Sequence, residues 1–260
     1  LVVNGAGAAA VSCTRLYIAL GVNPDNIVMC DSKGVIRSDR TGLAPQKRRF
    51  ATSRDIHTLA QAMQGADVFL GLSVADVVTP DMIKSMAPRP IVFALANPDP
   101  EISYEKAMQS RSDLIMATGR SDYPNQINNV IGFPYIFRGA LDCRARAINE
   151  EMKIAAVKAI ARLAREPVPS IVDDAYGNVS ISFGRDYILP KALDPRLLFR
   201  VAPAVARAAM HSGLARRPID DFDAYHDRLV KLMGDRGQLM RHISELAAAN
   251  PRRLVFTEGT

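Results

Sequence analysis

The chain contains no tryptophan, three cysteines and four histidines in 260 residues, and each scarcity removes a class of function. Cys13, Cys30 and Cys143 are too scattered for a disulfide framework or a metal knuckle, which fits a reducing compartment and a cytoplasmic protein. His57, His211, His226 and His242 show no metal-ligand spacing. Long apolar runs are missing too. The longest, Ile91 to Ala96, is far short of a bilayer span, so no membrane partner is expected. Aromatic residues make up 6% and do not interleave with the bases, so no nucleic-acid surface is expected. Nor is there an initiating methionine: the chain opens directly on Leu1-Val2-Val3-Asn4, which reads as the start of a fragment.

What is present is ordinary globular composition, 48% hydrophobic and 23% charged, enough for one to two cored domains. Leu1–Asn4 is a short apolar strand. It meets Gly5-Ala6-Gly7-Ala8-Ala9-Ala10, and an apolar helical pattern runs on to the breaker Gly21. Asn26–Cys30 is then a buried strand ending on Asp31. Further strands are expected at Ala66–Ser73, Ile91–Ala96 and Leu114–Thr118. Helices are expected at Asp55–Gln64, Pro80–Met86 and Glu101–Gln109. Alternation of this kind specifies a Rossmann-like α/β fold, a doubly wound, mainly parallel sheet with every strand's C-terminal end along one edge. Phe137–Arg165 reads as helix almost throughout, with Asn149 as a cap. Residues 167–195 look irregular, Arg196–Ser212 and Asp220–Met233 are helical, and Arg252–Phe256 is a lone strand.

The turn Gly5-x-Gly7-x-x-Ala10 carries the first chemistry. Gly5 permits the tight turn, Gly7 lets backbone approach a pyrophosphate, and Ala10 lets the helix pack closely on the strand. The helix N-terminus then offers its free amides to the phosphate charge. Asp31, 26 residues after Gly5, stands where a ribose-binding carboxylate belongs, which favours NAD. The stretch 31–54, however, holds seven bases (Lys33, Arg37, Arg40, Lys47, Arg48, Arg49 and Arg54) against Asp31 and Asp39. Ser32 and Lys33 follow Asp31 at once and suit a 2′-phosphate, so NAD and NADP both stay open.

Ser73, Asn97, Asn128 and Asn129 fall at the C-terminal ends of later strands. Each has a plain structural reading, as a turn residue or a helix cap. Amide side chains there could also donate to a carboxylate and accept from a hydroxyl, as a bound hydroxy acid requires. No Ser-His-Asp or Cys-His arrangement suggests itself, and Cys13 and Cys30 read as small core residues.

At this point the chain resembles the malic enzymes. The residues that carry the likeness are Asn4–Ala9, Cys30-Asp31-Ser32-Lys33-Gly34, Gly71-Leu72-Ser73, Phe93–Pro98, Ala117–Gln126, Asn128-Asn129 and Phe133–Ala140. Phe183–Pro190 and Val201–Ala206 are similar to the large bacterial NADP-dependent type. In that type a phosphotransacetylase-like module follows, and Arg253–Gly259 resembles its first strand. The resemblance implies oxidative decarboxylation of malate to pyruvate and CO2, with NAD or NADP reduced, a divalent metal (Mg or Mn) bound, and a homo-oligomer. By motif, Gly5, Ala6, Gly7, Ala8 and Ala9 would hold the pyrophosphate. Asp31 and Ser32 would hold the adenosine ribose, beside Lys33. Ser73 would line the nicotinamide side, and Asn97 with Asn128 or Asn129 would contact malate or the nicotinamide amide.

The family's tyrosine acid, lysine base and metal ligands precede this domain, so no catalytic or metal residue is assigned in this chain, which alone should bind nucleotide weakly and turn over no malate. The expected organisation is a cofactor domain over 1–166, a helical or irregular extension over 167–240, and the start of a further module over 241–260. The cofactor domain of another dehydrogenase, such as an amino-acid dehydrogenase, remains an alternative. So does a non-catalytic nucleotide-binding or oligomerisation module.

Overall fold

The structure, a computed structural model, describes residues 1–177 and 180–233. The expected strand Arg252–Phe256 and the module over 241–260 lie outside the described residues. Six strands form one sheet in the order β3-β2-β1-β4-β5-β6: β1 Val2–Asn4, β2 Val28–Asp31, β3 Gly34–Val35, β4 Val68–Gly71, β5 Ile91–Ala94 and β6 Ile115–Thr118. All neighbours are parallel except β3, which turns back antiparallel on β2 and pairs Asp31 with Gly34. Because the order runs from β1 to β2 on one side and from β1 to β4 on the other, a crevice opens at the C-terminal end of β1.

The two sheet faces follow from alternation along each strand. Val2, Val28, Phe69 and Val92 share one apolar cluster, and Val3, Met29 and Leu70 share another. α1 (Ala8–Ala19) covers the second face through Ala10, Cys13, Tyr17 and Ile18. The short α2 (Pro45–Arg48) lies in the basic loop. The other face is covered by α3 (Leu59–Met63), α4 (Pro80–Lys84) and α5 (Tyr104–Ser110), through Met63, Ile83 and Ala107.

α3 begins at Leu59, not at Asp55. Thr58 and Gln61 form a capping box, while the backbone before it is bound to the sheet margin, with the Val35 amide donating to the His57 carbonyl at 2.9 Å. His57 therefore lies outside any helix, exposed beside Asp55 and Arg37.

Beyond β6, α6 (Phe133–Asp142) and α7 (Glu150–Leu163) replace the single long helix expected there. The chain turns between them at Arg144, whose φ is +50°, and pairs at Ala145 with Ala215. Asn149 caps α7 as expected, its Oδ1 accepting from the Met152 amide at 3.0 Å. The irregular stretch after residue 166 contains α8 (Ser170–Ala175). α9 (Arg196–His211) then packs between α6 and α7, and residues 222–233 are helical. Met152, Ala156, Leu163, Leu197, Val201 and Val205 form the third core cluster, which packs α7 and α9 against each other.

Candidate functional site

The residues singled out in the sequence converge on the C-terminal edge of the sheet. Gly5 takes φ +124°, a region that L side chains rarely adopt, and a Cβ there would sit 2.4 Å from the Leu72 carbonyl oxygen. Its amide donates to the Cys30 carbonyl at 3.0 Å, so the turn is pinned to both neighbours of β1. Gly7 differs: a Cβ there would meet nothing within 4 Å. Gly7 is also the N-cap of α1, with no side-chain cap and no acidic residue in the first turn. The amides of Ala8 and Ala9, both exposed, are thus left at the positive end of a twelve-residue helix. Ala10 is buried against the sheet, where a small side chain is required. Open space, free amides and absent negative charge together fit a pyrophosphate, and hence a dinucleotide.

Asp31 ends β2 as expected, but it is not a free carboxylate. Arg40 grips it through two hydrogen bonds of 3.0 and 3.1 Å, the Lys47 ammonium donates at 2.9 Å, and the Lys33 amide donates at 3.0 Å. Its side chain is only 8% exposed. Burial opposes the charged form, yet these hydrogen bonds outweigh it and hold the carboxyl at about 2. Lys33 and Ser32 stay exposed on the turn. Charge counting along the chain identified the basic stretch but not its geometry, in which Arg40 and Lys47 converge on one acid.

Ser73 follows β4 across the crevice from Gly5. Its Oγ accepts from the Asn4 side chain at 2.8 Å. Its amide and hydroxyl both donate to Glu101 Oε1, at 2.9 and 3.1 Å, and the Ala96 amide donates to Oε2 at 3.0 Å. Asn4 and Glu101 were not singled out in the sequence. Glu101 looked like a helix start, whereas α5 begins later, capped by Ser103, and Glu101 turns inward instead. The available signal was Gly71, where a Cβ would lie 2.3 Å from the Glu101 Cδ.

Asn97 is exposed after β5, its Oδ1 facing Gly119 after β6. The loop 119–127 returns to β6, with the Ile127 amide donating to the Thr118 carbonyl at 2.7 Å, and brings Asn128 and Asn129 to the same edge. Asn128 is used structurally, capping a 3-10 turn by accepting from the Val130 amide. Asn129 is exposed. Buried Asn125 anchors the loop: its amide group donates to the Met116 and Arg185 carbonyls and accepts from the Ile188 amide, tying residues 183–190 to β6. Among the described residues, no three His, Cys, Asp or Glu side chains converge to hold a metal ion. Cys30 is buried, which pushes its thiol up to about 12 and suits a core role. No helix among the described residues is long and apolar enough to cross a membrane.

Comparison with known proteins shows the family of the chain as a whole. A family model described as malic enzyme, NAD binding domain, matches residues 1–172. The chain is 52% identical over its whole length to the NADP-dependent malic enzyme of Rhizobium meliloti (strain 1021), and 49% identical to the NAD-dependent malic enzyme of the same organism. It covers 34% of each of these proteins, so it spans about a third of the length of the curated relatives it matches. Among solved structures, Entamoeba histolytica malic enzyme superposes with a TM-score of 0.80 at 33% identity, covering 98% of this chain and 51% of that one.

Proposed function

The chain belongs to the malic enzyme family and contains that family's NAD-binding domain; from this premise we propose that it is the cofactor-holding part of an enzyme that oxidatively decarboxylates malate to pyruvate and CO2. The observation that carries the reading is the pinned glycine turn at the β1 crevice, with uncapped amides facing open space beyond Gly7. Gly5 to Ala9 would hold the pyrophosphate. Asp31, Ser32 and Lys33 would hold the adenosine ribose, Ser73 would line the nicotinamide side, and Asn97 with Asn129 or Asn128 would orient malate. When bound, the dinucleotide supplies a hydride acceptor. The chain's own side chains bind and orient. Decarboxylation also needs a Lewis acid and a positioned acid–base pair, and we assign the divalent metal's ligands and that pair to parts of the protein outside this chain. A cytoplasmic homo-oligomer fits the reading, as does a division into a cofactor domain over 1–166 and an extension over 167–240.

Of the two cofactors, NADP is favoured. Two cations neutralise Asp31, and Lys33 adds a third at the same turn, so the lip that meets the adenosine ribose is net positive. A 2′-phosphate complements that charge, whereas the bare 2′-hydroxyl of NAD would need a freer carboxylate. Calorimetric titration of the intact protein tests this. Lys47→Gln should weaken NADP about tenfold, the order of one charge-assisted hydrogen bond, and leave NAD within about twofold. Equal losses for both dinucleotides would refute the preference. The cofactor-holding role is tested on the chain by itself: reduction of NAD(P) by the purified 260 residues with malate and manganese would show that the missing chemistry lies within it.

A further inference from the structure

Glu101 is fully buried in the middle of the proposed cofactor edge, yet its described partners are neutral: the Ser73 and Ala96 amides and the Ser73 hydroxyl. Burying a carboxylate without such partners would cost several kcal/mol, and the fold is shaped to provide them. Gly71 leaves the space for the carboxylate, and the Ser103 cap starts α5 late enough for Glu101 to turn inward. An amide donor faces each oxygen, and the Ser73 hydroxyl adds a third hydrogen bond to the same carboxyl group.

The consequence falls on Ser73. A hydroxyl has one proton and two acceptor directions. The proton is committed to Glu101 Oε1, and one acceptor direction is taken by the Asn4 side chain. One acceptor direction remains, on a half-buried side chain at the C-terminal end of β4.

We propose that buried Glu101 fixes Ser73 as a hydrogen-bond acceptor, so that the site admits the carboxamide of a nicotinamide dinucleotide and rejects the otherwise matching nicotinic acid dinucleotide. This rests on the reading that Ser73 lines the nicotinamide side. The carboxamide NH2 supplies the donor that Ser73 lacks. A carboxylate in its place would set lone pair against lone pair, a repulsive element that discriminates by exclusion. Glu101 touches no ligand in this arrangement and acts as a positioning residue.

The test is titration of the intact protein with NADP and with nicotinic acid adenine dinucleotide phosphate, for wild type, Glu101→Gln and Ser73→Ala. Wild type should bind the amide form about tenfold tighter, the order expected for one hydrogen bond set against an unpaired acceptor. Both variants should bring the ratio to within about threefold, with thermal melts confirming that they fold. A donating Ser73 would prefer the acid, so the sign of the wild-type preference reports the hydroxyl's direction even where Glu101→Gln does not fold. A purely structural role for Glu101 would weaken both ligands equally and leave the ratio intact. A wild-type ratio near one, a preference for the acid, or an unchanged ratio in folded variants overturns the inference and leaves the cofactor reading standing. Failure of wild type to bind either dinucleotide overturns that reading and the inference with it.

Discussion

Gly5 and Gly7 belong to one motif, yet alanine at the two positions should have separable effects. At Gly5 the backbone stands at φ +124°, and a Cβ would come within 2.4 Å of the Leu72 carbonyl oxygen. The conformation alone costs about 1–3 kcal/mol for a side-chain-bearing residue. Relief of the overlap is blocked locally. The Leu72 amide is bonded to the Asn4 carbonyl at 2.8 Å, and Ser73 is held by Glu101, so β1 and β4 must part or the turn must distort. Overpacking of that kind adds about 1–3 kcal/mol. Gly5→Ala should therefore lose about 2–6 kcal/mol, a fall of roughly 5–20 °C in Tm for a domain of this size, together with nucleotide binding. Gly7 has φ −80° and open space where a Cβ would stand. Gly7→Ala should leave Tm within about 2 °C and still weaken NADP about tenfold or more, because the methyl fills the approach to the helix amides. Circular dichroism melts and calorimetry on the same preparations give both numbers. Unchanged stability in Gly5→Ala would refute the packing, and undiminished NADP affinity in Gly7→Ala would refute the placement of the pyrophosphate.

Asp31 supplies a pH test. Its carboxyl ordinarily titrates near 3.8 and sits at about 2 in the folded chain, so between those values the unfolded state binds more protons. Its contribution to stability is therefore complete above pH 4 and lost as pH falls through about 2; urea midpoints for wild type and Asp31→Asn should converge over that window, and a constant gap would refute the ion-pair cluster. Asn149→Ala should cost about 1 kcal/mol by uncapping α7, read from denaturant midpoints, and a neutral result would mean that the helix start is held by packing alone. Leu197→Ala, fully buried between α9 and its neighbours, should cost about 2–5 kcal/mol; a loss below 1 kcal/mol would mean that this helical cluster is not a tightly packed core.

The order of elements was legible because each strand here is a short apolar run closed by a turn residue, and periodicity reports that directly. Asp31 and the glycine turn were legible for the same reason, since their spacing is local. Helix boundaries were less so. Residues 55–58 carry a helical pattern, but the His57 carbonyl is drawn to the Val35 amide across the sheet margin, a contact that local propensity does not encode. The break at Arg144 likewise depends on Ala145 pairing with Ala215, seventy residues away.

The sequence by itself determined the class of site: a glycine turn between strand and helix, an acid ending the next strand, and a family of motifs spread along the chain. Only the tertiary structure decided how those parts are charged and polarised. Arg40 and Lys47 fold back onto Asp31 and turn the carboxylate that ends β2 into a neutralised, cation-rich lip. Glu101, 28 residues beyond Ser73, arrives beneath it and commits its proton. Both outcomes arise from partners brought together by strand order, because electrostatics and hydrogen-bond direction depend on distance in space, whereas turns and periodicity depend on distance along the chain.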